Sequence, residues 1–317
     1  MPDKKIIVVF GATGAQGGSV VKSILSDSKL KEQWHVRGVT RDVTKPSAKA
    51  LKDLGAEPVV ADLNDTASLK KVVEGAYAVF AVTNYWEFQD ASVEVRQGKA
   101  IADVAKEAGV QHFIWSSLLD IKELSNGVLP NVYHFDSKAE VERYIRSTDL
   151  PATFLLLGFY ASNLPGQMFS KGPDGNWAVN MPVPESSLVP IIDTKEDTGK
   201  FVKGILLNRD KTLGKRVLAA ENYYTFVQIV EDFKELFPEA GKTARFNQIS
   251  EDTYKGYLQS AGMSAVVAQE LLENMRLLNE FGYYGKESLD FSHSIVTDKL
   301  TTWKEHAKNT QAFASLK

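Results

Sequence analysis

The chain has 317 residues, which allows one large domain or two at about 100 to 200 residues per domain. Its 37 Lys+Arg against 40 Asp+Glu leave a net charge of −3 with no basic stripe, which argues against direct nucleic-acid binding. A composition of 44% hydrophobic and 24% charged residues excludes wholesale disorder, and the lack of cysteine excludes disulfides, thiolate catalysis and cysteine-held metals.

His35, His112, His134, His293 and His306 form no HExxH or HxH pattern, so no metal site is expected. The apolar run at the start is broken by Gly11 and Gly14, which does not suit a signal peptide. The longest mainly apolar stretch, 152–161, is shorter than the roughly 20 residues of a membrane span. The expectation is a soluble, cytoplasmic protein without membrane contact, with the nucleus a second compartment.

The predicted elements alternate. Lys5–Phe10 is a continuous apolar, β-branched run, as in a parallel strand buried on both faces. A helix over 18–25 follows, with Val20, Val21, Ile24 and Leu25 on one stripe. Strands are predicted at 34–40, 58–61, 77–82, 111–115 and 153–157. Helices are predicted at 45–54, 66–74, 92–108 and 137–146, with Gly75 and Gly109 as helix stops. This alternation predicts an α/β protein with a doubly wound parallel sheet of Rossmann type over residues 1–158.

After Gly158 the pattern loosens, and 171–176 (KGPDGN) reads as a turn. Helices are predicted at 195–207, 225–236, 250–259, 264–280 and 299–306, and strands at 188–192, 216–220 and 244–248. These describe a smaller α+β C-terminal lobe, 159–317, with the chain returning to the first domain around 188–220. The 264–280 helix has more apolar positions than one face needs. It serves association or is a two-sided core helix.

The strongest motif is GATGAQGG over 11–18, a GxxGxxG that follows the first strand and opens the first helix. Gly11 suits the tight turn, Gly14 the close approach of a pyrophosphate, and Gly17 close packing of helix on strand. The free amides and dipole of the helix start favour the diphosphate. The second strand ends Thr40-Arg41-Asp42. Arg41 can pair with a 2′-phosphate, and Lys45 can add charge, which favours NADP(H). Asp42 leaves weaker NAD(H) binding open, and Arg41 also reads as a solvated strand-end charge. Asp62 and Leu63, after the third strand, either face the adenine or form a turn. Thr83, Asn84, Tyr85 and Trp86, after the fourth strand, can line the nicotinamide end.

A short-chain dehydrogenase pairs Tyr and Lys four residues apart, the Tyr being the general acid or base. Here Lys138 lies four residues after His134, and Tyr133 is one residue out of register. His134 and Lys138 share a face if the helix starts early. A capping box over 137–140 would start it late and leave His134 in a loop. Ser116 and Ser117 follow the fifth strand. The catalytic candidates are therefore His134, Lys138 and Ser116, with the usual phenol missing. His134 transfers a proton or only lines the pocket.

GATGAQGGSV, Arg41, VTNYW at 82–86, HFDSK at 134–138 and Tyr160-x-x-Asn163 together resemble the NmrA-like family of atypical short-chain dehydrogenases, above all its redox-sensing members. The resemblance covers nearly the whole chain. It implies an NADP-binding Rossmann domain with a smaller lobe, and cofactor contacts from Gly11, Ala12, Thr13, Gly14, Ala15, Gln16 and Gly17. It also carries over Arg41, Lys45, Asp62, Leu63, Thr83, Asn84, Tyr85, Lys138, Tyr160 and Asn163, with Arg96 in a phosphate or ribose role. It implies regulation through a protein partner, a transcription factor or signalling protein, or through a homodimer, without dehydrogenase turnover. The alternative is an NADPH-dependent reductase of a quinone, enone or aldehyde, with Tyr85, Trp86, Phe159, Tyr160, Met168 and Trp177 forming an apolar pocket.

Overall fold

The apolar runs of the first half belong to strands covered on both faces. The computed structural model describes residues 4–166, 168–172 and 174–316. In chain order the strands are β1 (Lys5–Val9), β2 (Trp34–Thr40), β3 (Glu57–Val60), β4 (Ala78–Ala81), β5 (His112–Ser117), β6 (Ala152–Leu157), β7 (Phe159–Tyr160), β8 (Phe169–Lys171), β9 (Trp177–Met181), β10 (Leu188–Ile192), β11 (Arg216–Ala219), β12 (Asn222–Thr225) and β13 (Arg245–Gln248). Among the described residues, a seven-stranded parallel sheet runs in the order β11-β6-β5-β4-β1-β2-β3. This is the doubly wound order, with its switch point between β1 and β4. The crevice of such a sheet opens at the carboxyl ends of those strands.

Successive residues of β1 point to opposite faces. Ile7 and Val9 join Val20, Ile24, Leu51, Phe201 and Ile205 on one face. Val8 and Phe10 join Leu69, Ile101, Val104, Val141 and Ile145 on the other. The helices Ala15–Ser26, Pro46–Asp53 and Thr194–Leu207 therefore cover one side, and Thr66–Val73, Ala91–Glu107 and Tyr133–Arg146 the other. Helices 15–26 and 194–207 pack closely, the Gly199 amide donating to Ser19 Oγ.

The second lobe adds two three-stranded sheets, β12-β10-β7 and β13-β9-β8. The 171–176 turn joins the antiparallel β8 and β9; Pro173 lies outside the described residues. Phe169, Trp177, Phe233, Phe237 and Phe313 form an aromatic cluster, with Phe169 and Phe233 centroids 4.3 Å apart. That cluster is continuous with the core on one face of the central sheet, so the two lobes share apolar packing. Only part of 188–220 returns to the central sheet. Helix 194–207 and β11 do, whereas β10 pairs with β7 and β12.

Several predicted boundaries move. The first helix starts at Ala15, not 18, because Gly14 is its N-cap. The last predicted helix, 299–306, is instead Trp303–Asn309. Thr302 and Glu305 form a capping box that fixes its start and leaves 299–301 outside. The helix predicted at 137–146 begins at Tyr133. Ser137 is no cap there; its hydroxyl donates to Glu94. The early start has a tertiary cause. Glu270, from helix Ala265–Glu280, accepts the His134 backbone N–H at 2.8 Å and so caps this helix from outside. Of the surplus apolar residues in 265–280, Val266 is exposed, whereas Val267, Leu272, Met275 and Leu278 are buried, as in a two-sided core helix.

Candidate functional site

A cleft of about 1350 Å³ opens over the carboxyl ends of the central strands and runs between the two lobes. At one end lies the glycine loop. Gly11 has φ +64, and its carbonyl accepts the Gly14 amide, closing the turn. A Cβ at Gly17 would sit 2.4 Å from the Gly11 carbonyl oxygen, so only glycine lets the helix start this close to β1. No side chain caps that helix, and the residues of its first turn line the cleft. This is the form of a diphosphate cradle.

Gly11, Thr13, Gly14, Ala15, Gln16, Gly17, Arg41, Asp62, Leu63, Thr83, Asn84, Tyr85, Lys138, Tyr160 and Asn163 all line the cleft, as do His134 and Ser116. Three expected contacts do not. Ala12 is buried beneath the loop, against the space at Gly38. Lys45 is the N-cap residue of helix 46–53, and Arg96 lies on the exposed side of its helix while Gln97 turns inward. Asp62 forms its own turn, accepting from the Asn64 amide at 2.8 Å, and still borders the cleft. Arg41 is largely exposed and pairs with Glu87, in the short helix Tyr85–Phe88. Asp42 is occupied by the Thr44 amide and hydroxyl, which hold its carboxyl below the usual value, and it does not line the cleft.

Each catalytic candidate is held by a partner the sequence does not announce. Lys138 Nζ reaches Glu94 at 2.7 Å and Thr83 Oγ1 at 3.1 Å. Glu94 is buried, which raises its carboxyl, but Lys138, Ser137 and Thr83 outweigh this and hold it below the usual value. Ser116 donates to Gln16 Oε1 at 2.7 Å, and Gln16 Nε2 donates to the Tyr160 hydroxyl at 2.7 Å. Burial pushes the Tyr160 phenol up, against a smaller opposing pull from Gln16.

His134 and Lys138 lie on one face of their helix. His134 Nδ1 is 2.6 Å from Glu270 Oε1, and Glu270 Oε2 accepts the Tyr85 hydroxyl at 3.0 Å. Burial and Glu270 push the Tyr85 phenol well up. Tyr133 points elsewhere, donating to Asn131. Glu273 accepts both the backbone and side-chain N–H of Asn131, at 2.7 and 2.6 Å. Two acidic residues of one second-lobe helix thus anchor the segment that presents His134.

Beyond this polar centre the cleft becomes an apolar chamber. Met168, Met181, Tyr254, Leu258, Met275 and Tyr283 wall it, together with Phe159 and Trp86. Trp177, expected there, packs in the aromatic cluster instead. Asn274 faces this chamber one helical turn after Glu270, and its Nδ2 is buried with no hydrogen-bond partner. Among the described residues no three His, Asp or Glu cluster in a metal-binding arrangement, and no helix is long and apolar enough to cross a membrane.

The parallel sheet, the switch-point cleft and the glycine loop define a Rossmann-type α/β protein with a second lobe closing its crevice. The chain belongs to the NmrA-like family, whose model matches residues 3–307. It is 31% identical to the NmrA-like family domain-containing oxidoreductase malD of Malbranchea aurantiaca, over 76% of each chain. Its fold is similar to that of NmrA, a negative transcriptional regulator solved in complex with NAD (TM-score 0.81, 21% identity, 97% of this chain and 95% of that one). It is also similar to Citrobacter sp. triphenylmethane reductase complexed with NADP(H) (TM-score 0.75, 23% identity, 96% and 99%).

Proposed function

We propose that this protein binds NADP(H) and reduces a carbonyl group carried by a neutral, apolar substrate. The cofactor half of the reading rests on the uncapped helix start, the glycine cradle and the exposed Arg41 at the end of β2. Asp42, the acid that would take a ribose 2′-hydroxyl, is engaged by its own turn, which supports NADP(H) over a weaker NAD(H). Bound there, NADPH supplies a hydride. Lys138, Ser116 and Tyr160 would border the nicotinamide end and orient it.

The observation that carries the substrate half is the apolar chamber. Met168, Met181, Tyr254, Leu258, Met275 and Tyr283 give it walls that suit an apolar body. A charged body would lose its hydration against them without compensation, so a neutral one is favoured. The names of the oxidoreductase and reductase relatives agree with this reading. The test is multiple-turnover NADPH consumption by the purified protein against quinones, enones and aldehydes. Sustained turnover is expected. Confirmed NADPH binding without consumption by any of these classes would overturn the reading.

A second reading, an NADP(H)-sensing regulator, is favoured by a different observation. Arg41 is paired with Glu87, and the same short helix exposes Trp86 and Phe88. A 2′-phosphate on Arg41 competes with Glu87 and would shift that helix, changing the apolar surface offered to a protein partner or a second copy of the chain. The ligand acts only by binding the two arrangements differently. Co-purification with and without NADPH, compared with Phe88→Ser, tests it. Partner recovery that neither change alters would sink it.

A further inference from the structure

We infer that His134 is the proton donor of the reduction, and that Glu270 positions it. The inference rests on the reductase reading and assigns the acid that the missing tyrosine leaves unfilled. Glu270 is fully buried and, among the described residues, has no Lys or Arg in reach; His134 is its only basic partner. A buried carboxylate needs such a partner. It accepts from His134 Nδ1, from the His134 backbone and from Tyr85, so the carboxylate that holds the ring is itself fixed at three points. Tyr85, Trp86 and Phe135 then pack around the imidazole at centroid distances of 5.9, 5.0 and 4.9 Å.

With Nδ1 committed to Glu270, the ring's other nitrogen faces the reaction space. Nε2 makes no hydrogen bond among the described residues, and it is not among the sealed, unpartnered polar atoms. It therefore opens to the cleft that His134 lines. The carboxylate–imidazole arrangement fixes which nitrogen is free, as a carboxylate does for a general-acid histidine elsewhere. The other hydroxyls are less suited. Tyr85 is tied to Glu270, and the Tyr160 phenol is pushed up by burial, away from the range of an acid that reloads near neutrality. Ser116 is tied to Gln16.

The step balances as follows. The carbonyl carbon takes a hydride from NADPH, its π pair moves to oxygen, and that oxygen takes the Nε2 proton. The carbonyl becomes an alcohol by taking one hydride and one proton, and the doubly protonated ring that gave the proton is left as neutral imidazole until bulk solvent returns one. The Nδ1 hydrogen stays on the ring throughout, donated to Glu270.

The experiment combines one readout without catalysis and one with it. In proton NMR of the protein with NADP⁺, the wild type should show a downfield, slowly exchanging imidazole N–H signal that His134→Gln and Glu270→Gln both lose. In NADPH oxidation with cinnamaldehyde and with 1-phenyl-1,2-propanedione, His134→Gln should lower kcat by about 100-fold or more. NADPH affinity should stay within about twofold, and imidazole should restore rate to His134→Gly. Glu270→Gln should change the pH profile of kcat, which a purely structural role would not. A wild type that turns over while His134→Gln keeps its rate, or while Tyr160→Phe alone loses it, overturns the assignment and spares the reductase reading. Absence of the N–H signal overturns the dyad. No turnover of either probe by an NADPH-loaded wild type overturns the assignment, and the reductase reading falls with it when the quinones, enones and aldehydes of the wider panel also go unreduced.

Discussion

The two ends of the cleft are built on different principles. At the cofactor end the decisive residues are neighbours in sequence: a strand, three glycines and a helix start within 5–26, then Arg41 at the end of the next strand. Their chemistry is backbone chemistry, amides and a dipole, so it needs little from the rest of the chain. At the chamber end every decisive contact is long-range. Glu270 and Glu273 come from the second lobe and meet residues more than 130 positions earlier, in the His134–Glu270 and Asn131–Glu273 pairs. The first end is a local motif that many chains share. The second is the place where this chain becomes individual.

The largest expected effect breaks the cofactor end. Gly14→Val puts a branched side chain where even a Cβ already sits 3.3 Å from the Gly11 oxygen. NADPH affinity should fall by roughly 100-fold or more, read by NADPH fluorescence titration. Retained affinity would place the diphosphate elsewhere. Next, Arg41→Ala should weaken NADPH by about 10- to 100-fold, the weight of a charge-assisted contact, and leave NADH nearly unchanged. Equal weakening of both cofactors in the same titration would remove the 2′-phosphate role.

A smaller effect sharpens the chamber end. Asn274→Leu keeps the branched shape and removes the sealed, unpartnered donor. It should stabilise the fold by about 1 kcal/mol in urea unfolding and leave KM for a carbonyl substrate nearly unchanged. A loss of stability in the same measurement would mean that the amide serves packing there.

A last effect, confined to stability and dependent on pH, concerns the helix that joins the two ends. Asp136 accepts the Ile121 amide at 2.7 Å, and burial, with Asp120 adding to it, pushes its carboxyl up to about 6. A raised carboxyl binds its proton more tightly folded than unfolded, so this group stabilises the fold when protonated. That contribution is present below about pH 4 and is lost as pH rises through 6. Asp136→Asn should flatten the stability profile between pH 4 and 6 and gain on the order of 2 kcal/mol at pH 7, measured by denaturation at each pH. A parallel wild-type and variant profile would show that Asp136 does not titrate in that window.

The helix around His134 shows how far local signals carry. Ser137 and Glu140 have the spacing of a capping box, and by local reasoning the helix starts there. In the fold, Glu94 takes the Ser137 hydroxyl and Glu270 caps the helix four residues earlier. A local cap is worth about 1 kcal/mol, and a buried carboxylate on a helix start outweighs it. Lys138 was legible from its spacing to His134, but Glu94, which neutralises it, was not. Nothing in ASVEVRQG distinguishes Glu94 from an exposed helical acid until the helix is packed on Tyr133–Arg146. Lys45 and Arg96 show the opposite case: a charge near a site in sequence can stand exposed to solvent and outside the lining of the cleft.

By itself the sequence determined the central sheet, the glycine cradle, the position of Arg41 and the absence of a Tyr–Lys pair. Each depends on alternation, turn chemistry and spacing within a few residues, and these survive any tertiary arrangement. Only the tertiary structure decided which acid holds His134, which holds Lys138, where the helix between them begins, and that an apolar chamber with one unpaired donor lies beyond. Those depend on charges and side chains brought together from distant segments. A buried carboxylate shows its purpose only when its partner is seen beside it.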